Sequence, residues 1–269
     1  MVDKVRKPRM VDVDEVIETP KVVEQKLEDN FFPIDDLPSR YKLYPEGTKI
    51  FGRSLKVSEV KKLTTMNENN FNAILKDILT ATLRGIDIDD ICVADKVYII
   101  FWLRANTFRN SNFVAKYTCE HCETKNEYKF DLDSFDIEYL PEDYDKNEFD
   151  LLNSDKKLTL DILRIRDENK VKAFQENLKN SFGKIDDEVL AMASTIKFVD
   201  GSAVSLRQAC EFIQSLENDP EDYAYLHSKI LEMDFGVIPE IKHVCKKCSQ
   251  VNKIPVSFRP EFFLPRYKF

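Results

Sequence analysis

Residues 117–130 read YTCEHCETKNEYKF, and residues 243–256 read HVCKKCSQVNKIPV. Laid over one another at an offset of 126, the two stretches match without a gap. Each has a strand end, C-x-x-C, three residues, an Asn, and then a second strand. That pattern predicts a β-hairpin whose tight turn directs two thiols to one point. Asn126 and Asn252 read as residues that tolerate a left-handed turn conformation. Two such knuckles supply four thiolates, the ligand set of a tetrahedral zinc site with Zn–S near about 2.3 Å. Cys119, Cys122, Cys245 and Cys248 are therefore the candidate ligands of a Zn2+ ion. Four protein ligands leave no open coordination position, so the site reads as structural rather than catalytic.

Two other readings of the thiols carry less weight. A dithiol redox motif belongs in a βαβ setting and usually occurs once. Structural disulfides belong to an oxidising compartment, and the opening residues MVDKVRKPR lack the apolar core of a secretory signal. His121 and His243 adjoin the knuckles and could ligate, but four cysteines already fill the site. Cys92 and Cys210 sit alone in apolar helical surroundings and read as small buried hydrophobes.

Between Cys122 and Cys245 lie 122 residues. A zinc held by both knuckles would pin distant parts of the chain together, so metal binding would contribute to folding itself. The site could also be completed between two chains. The intrachain form is favoured, because the repeat looks like two halves of one ribbon.

The rest of the chain narrows the function classes. Its 269 residues are 43% hydrophobic, enough to bury a core. No apolar run approaches the roughly 20 residues of a membrane span. Walker A, GxGxxG and GxSxG patterns are absent, which weakens the phosphate-cradling and nucleophile-elbow enzymes. The net charge is −8, and residues 131–155 alone hold ten acids against one lysine. This acidic stretch is either a solvated loop and strand edge or a docking strip for a basic partner. General nucleic-acid binding is disfavoured, since phosphate affinity needs clustered Lys and Arg. Asp136 and Glu138 share a strand face, but no nucleophile–base pairing accompanies them.

Residues 1–38 contain four prolines and no helical period, and read as an extended arm. Within it, Phe31, Phe32, Pro33 and Ile34 form an apolar plug that docks on a neighbour or packs on its own domain. Residues 41–57 alternate around Pro45-Glu46-Gly47 and predict a hairpin. A short helix is expected from Ser58 and a stronger one from Asn69 or Asn70, with Gly85 as its C′ residue. Asp95 opens a nearly all-apolar helix containing Trp102. A second hairpin is expected about Asn153-Ser154-Asp155, and helices over 167–179 and 186–196. Ser205 with Gln208 makes a capping box. Asp219-Pro220 caps a helix running to Met233. The chain closes on the aromatic, basic stretch FRPEFFLPRYKF.

The order of hairpin, helices, knuckle, helical segment, IKHVCKKC, closing strand and Phe262-Phe263 resembles the T4-like baseplate hub subunit family of contractile-tailed phages. The resemblance covers roughly residues 40–263. It implies that the four cysteines are zinc ligands and that the chain is a structural or assembly subunit of the tail baseplate. Its partners would be other baseplate and tail proteins, reached through Phe31, Phe32, Phe262 and Phe263. It also implies a virion location after synthesis in the host cytoplasm. No enzyme activity, small-molecule substrate or membrane span is expected. The alternative is a zinc-ribbon nucleic-acid-binding or transcription-related protein, suggested by Lys242, Lys246, Lys247 and Lys253.

The expected fold is α+β. A mainly helical body with β-hairpins carries a split zinc ribbon formed by the two distant knuckles. The expected organisation is an arm (1–38), a body (39–258) and an aromatic tail (259–269). Within the body the ribbon comprises 117–132 and 241–258, with 133–240 inserted between.

Overall fold

Short strands pair where the sequence pattern predicts a hairpin at 41–57. The computed structural model describes residues 30–67, 70–108, 113–131, 134–142, 144, 147–179 and 185–256. β1 (Phe32–Pro33), β2 (Phe51–Gly52) and β3 (Leu83–Arg84) form an antiparallel sheet in that order. Arg40 and Tyr41 have φ of 51° and 62°. Two consecutive left-handed residues break any strand there, so residues 38–44 coil instead. The turn at Pro45–Thr48 does form, with Thr48 N donating to Pro45 O at 3.1 Å.

α1 (Val57–Thr64) and α2 (Phe71–Thr82) follow, the first lying between β2 and α2 in sequence. Arg53 forks onto the carboxylate of Glu59 with bonds of 2.6 and 3.0 Å. Glu59 also accepts from Lys56 N at 2.7 Å and so caps α1. Burial disfavours the Glu59 carboxylate, but the Arg53 and Lys56 donors hold its pKa below the usual value.

Gly85 is not the C′ residue of α2, because β3 intervenes after the helix. It is needed for another reason. Its φ is +91°, and a Cβ there would meet Lys49 O at 2.0 Å. Gly52 serves a similar close approach, since a Cβ would lie 2.6 Å from the Trp102 ring.

α3 (Val93–Thr107) starts two residues before Asp95. Asp95 is wholly buried and closes the N-terminal turn of α3 onto residues 39–44. Its carboxylate accepts from Ser39 N at 2.9 Å, Ser39 Oγ at 2.5 Å and the Tyr44 hydroxyl at 2.7 Å. A buried carboxylate is tolerable only when it is satisfied in this way. Burial and the Asp95 charge push the Tyr44 phenol well up, and push the Cys92 thiol up to about 12.

After α3 the chain forms β4 (Phe113–Thr118), β5 (Lys125–Phe130), β6 (Ile137–Glu138), β7 (Glu148–Asp150) and β8 (Lys157–Leu160). Then come α4 (Ile165–Lys179), α5 (Asp187–Thr195), β9 (Ile196–Val199), β10 (Ser202–Ala203), α6 (Leu206–Ser215) and α7 (Pro220–Glu232). β11 (Gly236–Val237), β12 (Glu240–Val244) and β13 (Val251–Pro255) complete the described order. The sequence signals for this half are met closely. β7 and β8 make the hairpin about Asn153, Asp186 caps α5, and Ser205 and Gln208 form their capping box. Asp219 accepts from Asp222 N with Pro220 in the first turn of α7. The described residues form seven α-helices and several small sheets, an α+β fold.

Two main clusters of apolar side chains hold these elements. The first joins Ile34, Leu37, Ile50, Leu79, Ile91 and Ile99, and includes Phe130 and Ile241 at the base of the two knuckle hairpins. The second gathers Leu158, Leu160, Leu190, Ile213 and Leu226 beneath the four-stranded sheet β10-β9-β8-β7. Each fully buried Leu or Ile contributes about 1.5–3 kcal/mol. Ile34 belongs to the chain's own core, whereas Phe31 of the apolar plug is half-buried and Phe32 and Pro33 are exposed. β6 pairs with β11. That pairing brings the acidic stretch beside the approach to the second knuckle, where Lys242 meets Asp136 at 2.9 Å.

Candidate metal centre

The two knuckles repeat each other hydrogen bond by hydrogen bond. β4 pairs with β5 from Phe113↔Phe130 to Thr118↔Lys125, and β12 with β13 from Glu240↔Pro255 to Val244↔Val251. At each tip the first cysteine donates its N–H across the turn, Cys119 to Thr124 O at 2.9 Å and Cys245 to Gln250 O at 2.8 Å. Each first cysteine's carbonyl accepts in turn from Glu123 N or Ser249 N, both at 2.9 Å.

The left-handed position is the residue after the second cysteine. Glu123 and Ser249 have φ of 56° and 59°. Asn126 and Asn252 lie one residue inside β5 and β13, in regular pairs with Tyr117 and His243. The expectation that these asparagines occupy the left-handed turn is thus corrected. They are buried and reach across to the opposite knuckle. Asn126 Nδ2 donates to Cys245 Sγ at 3.6 Å, and Asn252 Oδ1 accepts from Glu120 N at 3.1 Å.

The reciprocal arrangement brings Cys119, Cys122, Cys245 and Cys248 together, their sulfurs all within 4.8 Å of one another. Each knuckle's first thiol lies beside the other's second, Cys119 to Cys248 at 3.6 Å and Cys122 to Cys245 at 3.7 Å. These are not disulfide distances, which lie near about 2.05 Å. A tetrahedron of Zn–S bonds has S···S edges of about 3.8 Å, so the donor set fits a tetrahedral thiophilic cation. Cys119 and Cys245 are buried, and Cys122 and Cys248 are half-buried.

The thiols differ in their electrostatics. Backbone N–H groups of Cys248 and Lys247 draw Cys245 down to about 6. Burial opposes the Cys119 thiolate, yet the His121 and Cys122 N–H groups and Asn252 hold its pKa below the usual value. The Gln250 N–H favours the Cys248 thiolate, but burial and the three neighbouring thiols push it up to about 12. Four thiolates this close repel one another unless a cation sits among them.

The histidines are not among the clustered donors. Tyr117 and His243 meet through the hydroxyl and Nδ1 at 2.5 Å, and the His243 ring stacks on Tyr128 at 4.2 Å. His121 is exposed on the first tip.

A family model described as T4 bacteriophage base plate protein matches residues 35–264, a stretch that contains both knuckles. The chain belongs to that family. Membership makes this phage base plate protein a virion tail component that associates with other tail proteins. No curated protein and no solved structure gives a significant match. No described helix of the base plate protein is long and apolar enough to cross a membrane.

Phe31 of the base plate protein lies under the Arg84 guanidinium at 4.8 Å, whereas Phe32 on β1 is 53% exposed. Phe262 and Phe263 lie outside the described residues. Asp136 is in an ion pair with Lys242. The sequence pattern locates Asn126 and Asn252 but not their contacts with the opposite knuckle, and it does not disclose the Tyr117–His243 pair, although both lie at matching positions of the repeat.

Proposed function

We propose that the chain is a structural or assembly subunit of the hub region of a contractile-tail base plate, with a structural zinc that joins its two knuckles into one split ribbon. The observation that carries this reading is the base plate family match across both knuckles. The zinc would be held by Cys119, Cys122, Cys245 and Cys248 within one chain. It would contribute to folding by tying together the two ends of the 122-residue stretch between Cys122 and Cys245. Neighbouring base plate proteins would engage Phe31, Phe32, Phe262, Phe263 and the acidic stretch. The protein would be made in the host cytoplasm before assembly.

Phage carrying a premature stop in the gene provides the test. The reading predicts particles arrested before base plate completion, rescued by wild-type protein and not by Cys245→Ser. Mass spectrometry of purified virions then separates a persistent component, which is present, from an assembly factor, which is absent. Normal infectious particles without the protein would overturn the reading.

The nucleic-acid alternative rests on four lysines of the second knuckle. Two of them are engaged, Lys242 with Asp136 at 2.9 Å and Lys253 with Glu240 at 3.3 Å. That leaves little basic surface for phosphate. Salt-dependent DNA affinity at low ionic strength would restore this alternative.

A further inference from the structure

The knuckle tips are alike in backbone and opposite in charge. The first exposes Glu120 and Glu123, and the second exposes Lys246 and Lys247. Among the described residues none of these four makes an ion pair, although thiol contacts of 3.6 and 3.7 Å hold the tips side by side. The second tip also has an apolar edge. Val244 and Val251 are cross-strand partners, 53% and 55% exposed, where the first knuckle carries Thr118 and Lys125. The paired tips thus present an acidic half, a basic half and a valine pair on the basic side.

One segment of the chain, outside the described residues, has the complementary order. Lys4, Arg6, Lys7 and Arg9 are followed by Asp12, Asp14, Glu15 and Glu18, with Val11, Val13, Val16 and Ile17 among the acids. The sign changes between Arg9 and Asp12, a step of about 10 Å in extended chain. From Glu18 to Asn30 the chain can span up to about 40 Å, comparable to the width of a body this size.

We propose that residues 4–18 dock across the two knuckle tips, the basic stretch against Glu120 and Glu123, the acidic and apolar stretch against Lys246, Lys247, Val244 and Val251. Charge order sets the direction of the segment, and the valine pair gives the acidic half an apolar footing. Like-charged contacts disfavour the reversed direction. The inference does not depend on where in the base plate the protein sits.

Hydrogen exchange of the full-length protein, read by mass spectrometry on peptides covering residues 4–18, tests it. Two variants serve as references, K246E/K247E and V244T/V251T. The second removes the apolar edge without adding charge, and threonine is what the first knuckle carries at Thr118. Zinc content and the thermal transition report that each variant is folded. The proposal expects residues 11–18 to exchange at least about tenfold more slowly in the wild type than in either variant. It also expects D12K/D14K/E15K/E18K combined with K246E/K247E to restore protection. Protection that persists on dilution places the segment on its own chain's tips. Protection that grows with protein concentration places it on a second copy's tips, and either pattern sustains the proposal. Equal exchange in wild type and variants, or protection that the charge swap fails to restore, overturns it.

Discussion

Tyr117 and His243 stand 126 residues apart in the chain, at the same place in the two knuckles, and they touch: the tyrosine hydroxyl lies 2.5 Å from His243 Nδ1. Equivalent residues of a repeat meet only near the axis that relates the copies. The contact therefore marks a local twofold arrangement with the four thiols at its tip. Tyr117→Phe removes the hydroxyl and leaves the ring. The expected result is a loss of about 1 kcal/mol, seen as a lower urea midpoint, with metal content unchanged. Loss of the metal in this variant would show that the pair orders the ligands rather than only bracing the hairpins.

The asparagines bear on the four thiols more directly. Asn252 satisfies the Glu120 N–H of the opposite tip, and Asn126 donates to Cys245 Sγ. Asn252→Ala and Asn126→Ala should each weaken zinc retention by about 10–100-fold, the usual cost of losing a partner of a metal ligand. Competition with a chelator measures this. Unchanged retention in both variants would contradict the cross-knuckle role.

The thiols and their pairing across the chain were legible because C-x-x-C is a local signal and the two flanks match at a fixed offset. The asparagines were located but misread, since turn chemistry is judged from neighbours in sequence and their partners lie on the other hairpin. The hairpin expected at 41–57 failed for a related reason. Its alternation is real, but the buried Asp95 on α3 draws Ser39 and Tyr44 to itself, and no local pattern reveals that. Capped helices such as α5, α6 and α7 were legible because caps are local.

Asp95 is the partner to test for that latch. Asp95→Asn keeps the shape but faces the Ser39 and Tyr44 donors with an amide that has only one acceptor oxygen. Loss of about 1–3 kcal/mol is expected in urea unfolding. Ser39→Ala, which removes only one of the three donors, should cost less. A neutral Asp95→Asn would contradict the assignment of these bonds to stability.

Acid should expose a second carboxylate. The wholly buried Asp222 accepts from Leu152 N at 2.7 Å, Asn153 N at 3.0 Å and Ser154 N at 3.1 Å. Burial opposes its charge, but the hydrogen bonds from residues 152–154 outweigh that and lower its pKa. A lowered folded-state pKa gives stability that is complete above the unfolded value of about 3.9 and is lost as pH falls through the folded one. The stability gap between wild type and Asp222→Asn should therefore be widest near neutrality and narrow below about pH 4. A gap that widened on acidification would contradict the shift.

The central claim is that one cation joins the two knuckles within a single chain. Elemental analysis of the purified full-length protein, with its mass in solution measured alongside, tests it most directly. The account predicts one zinc per chain in the wild type. It predicts loss of that zinc in Cys245→Ser, together with loss of the cooperative thermal transition. A protein without zinc, or one whose Cys245→Ser form stays fully folded after losing it, would contradict the account.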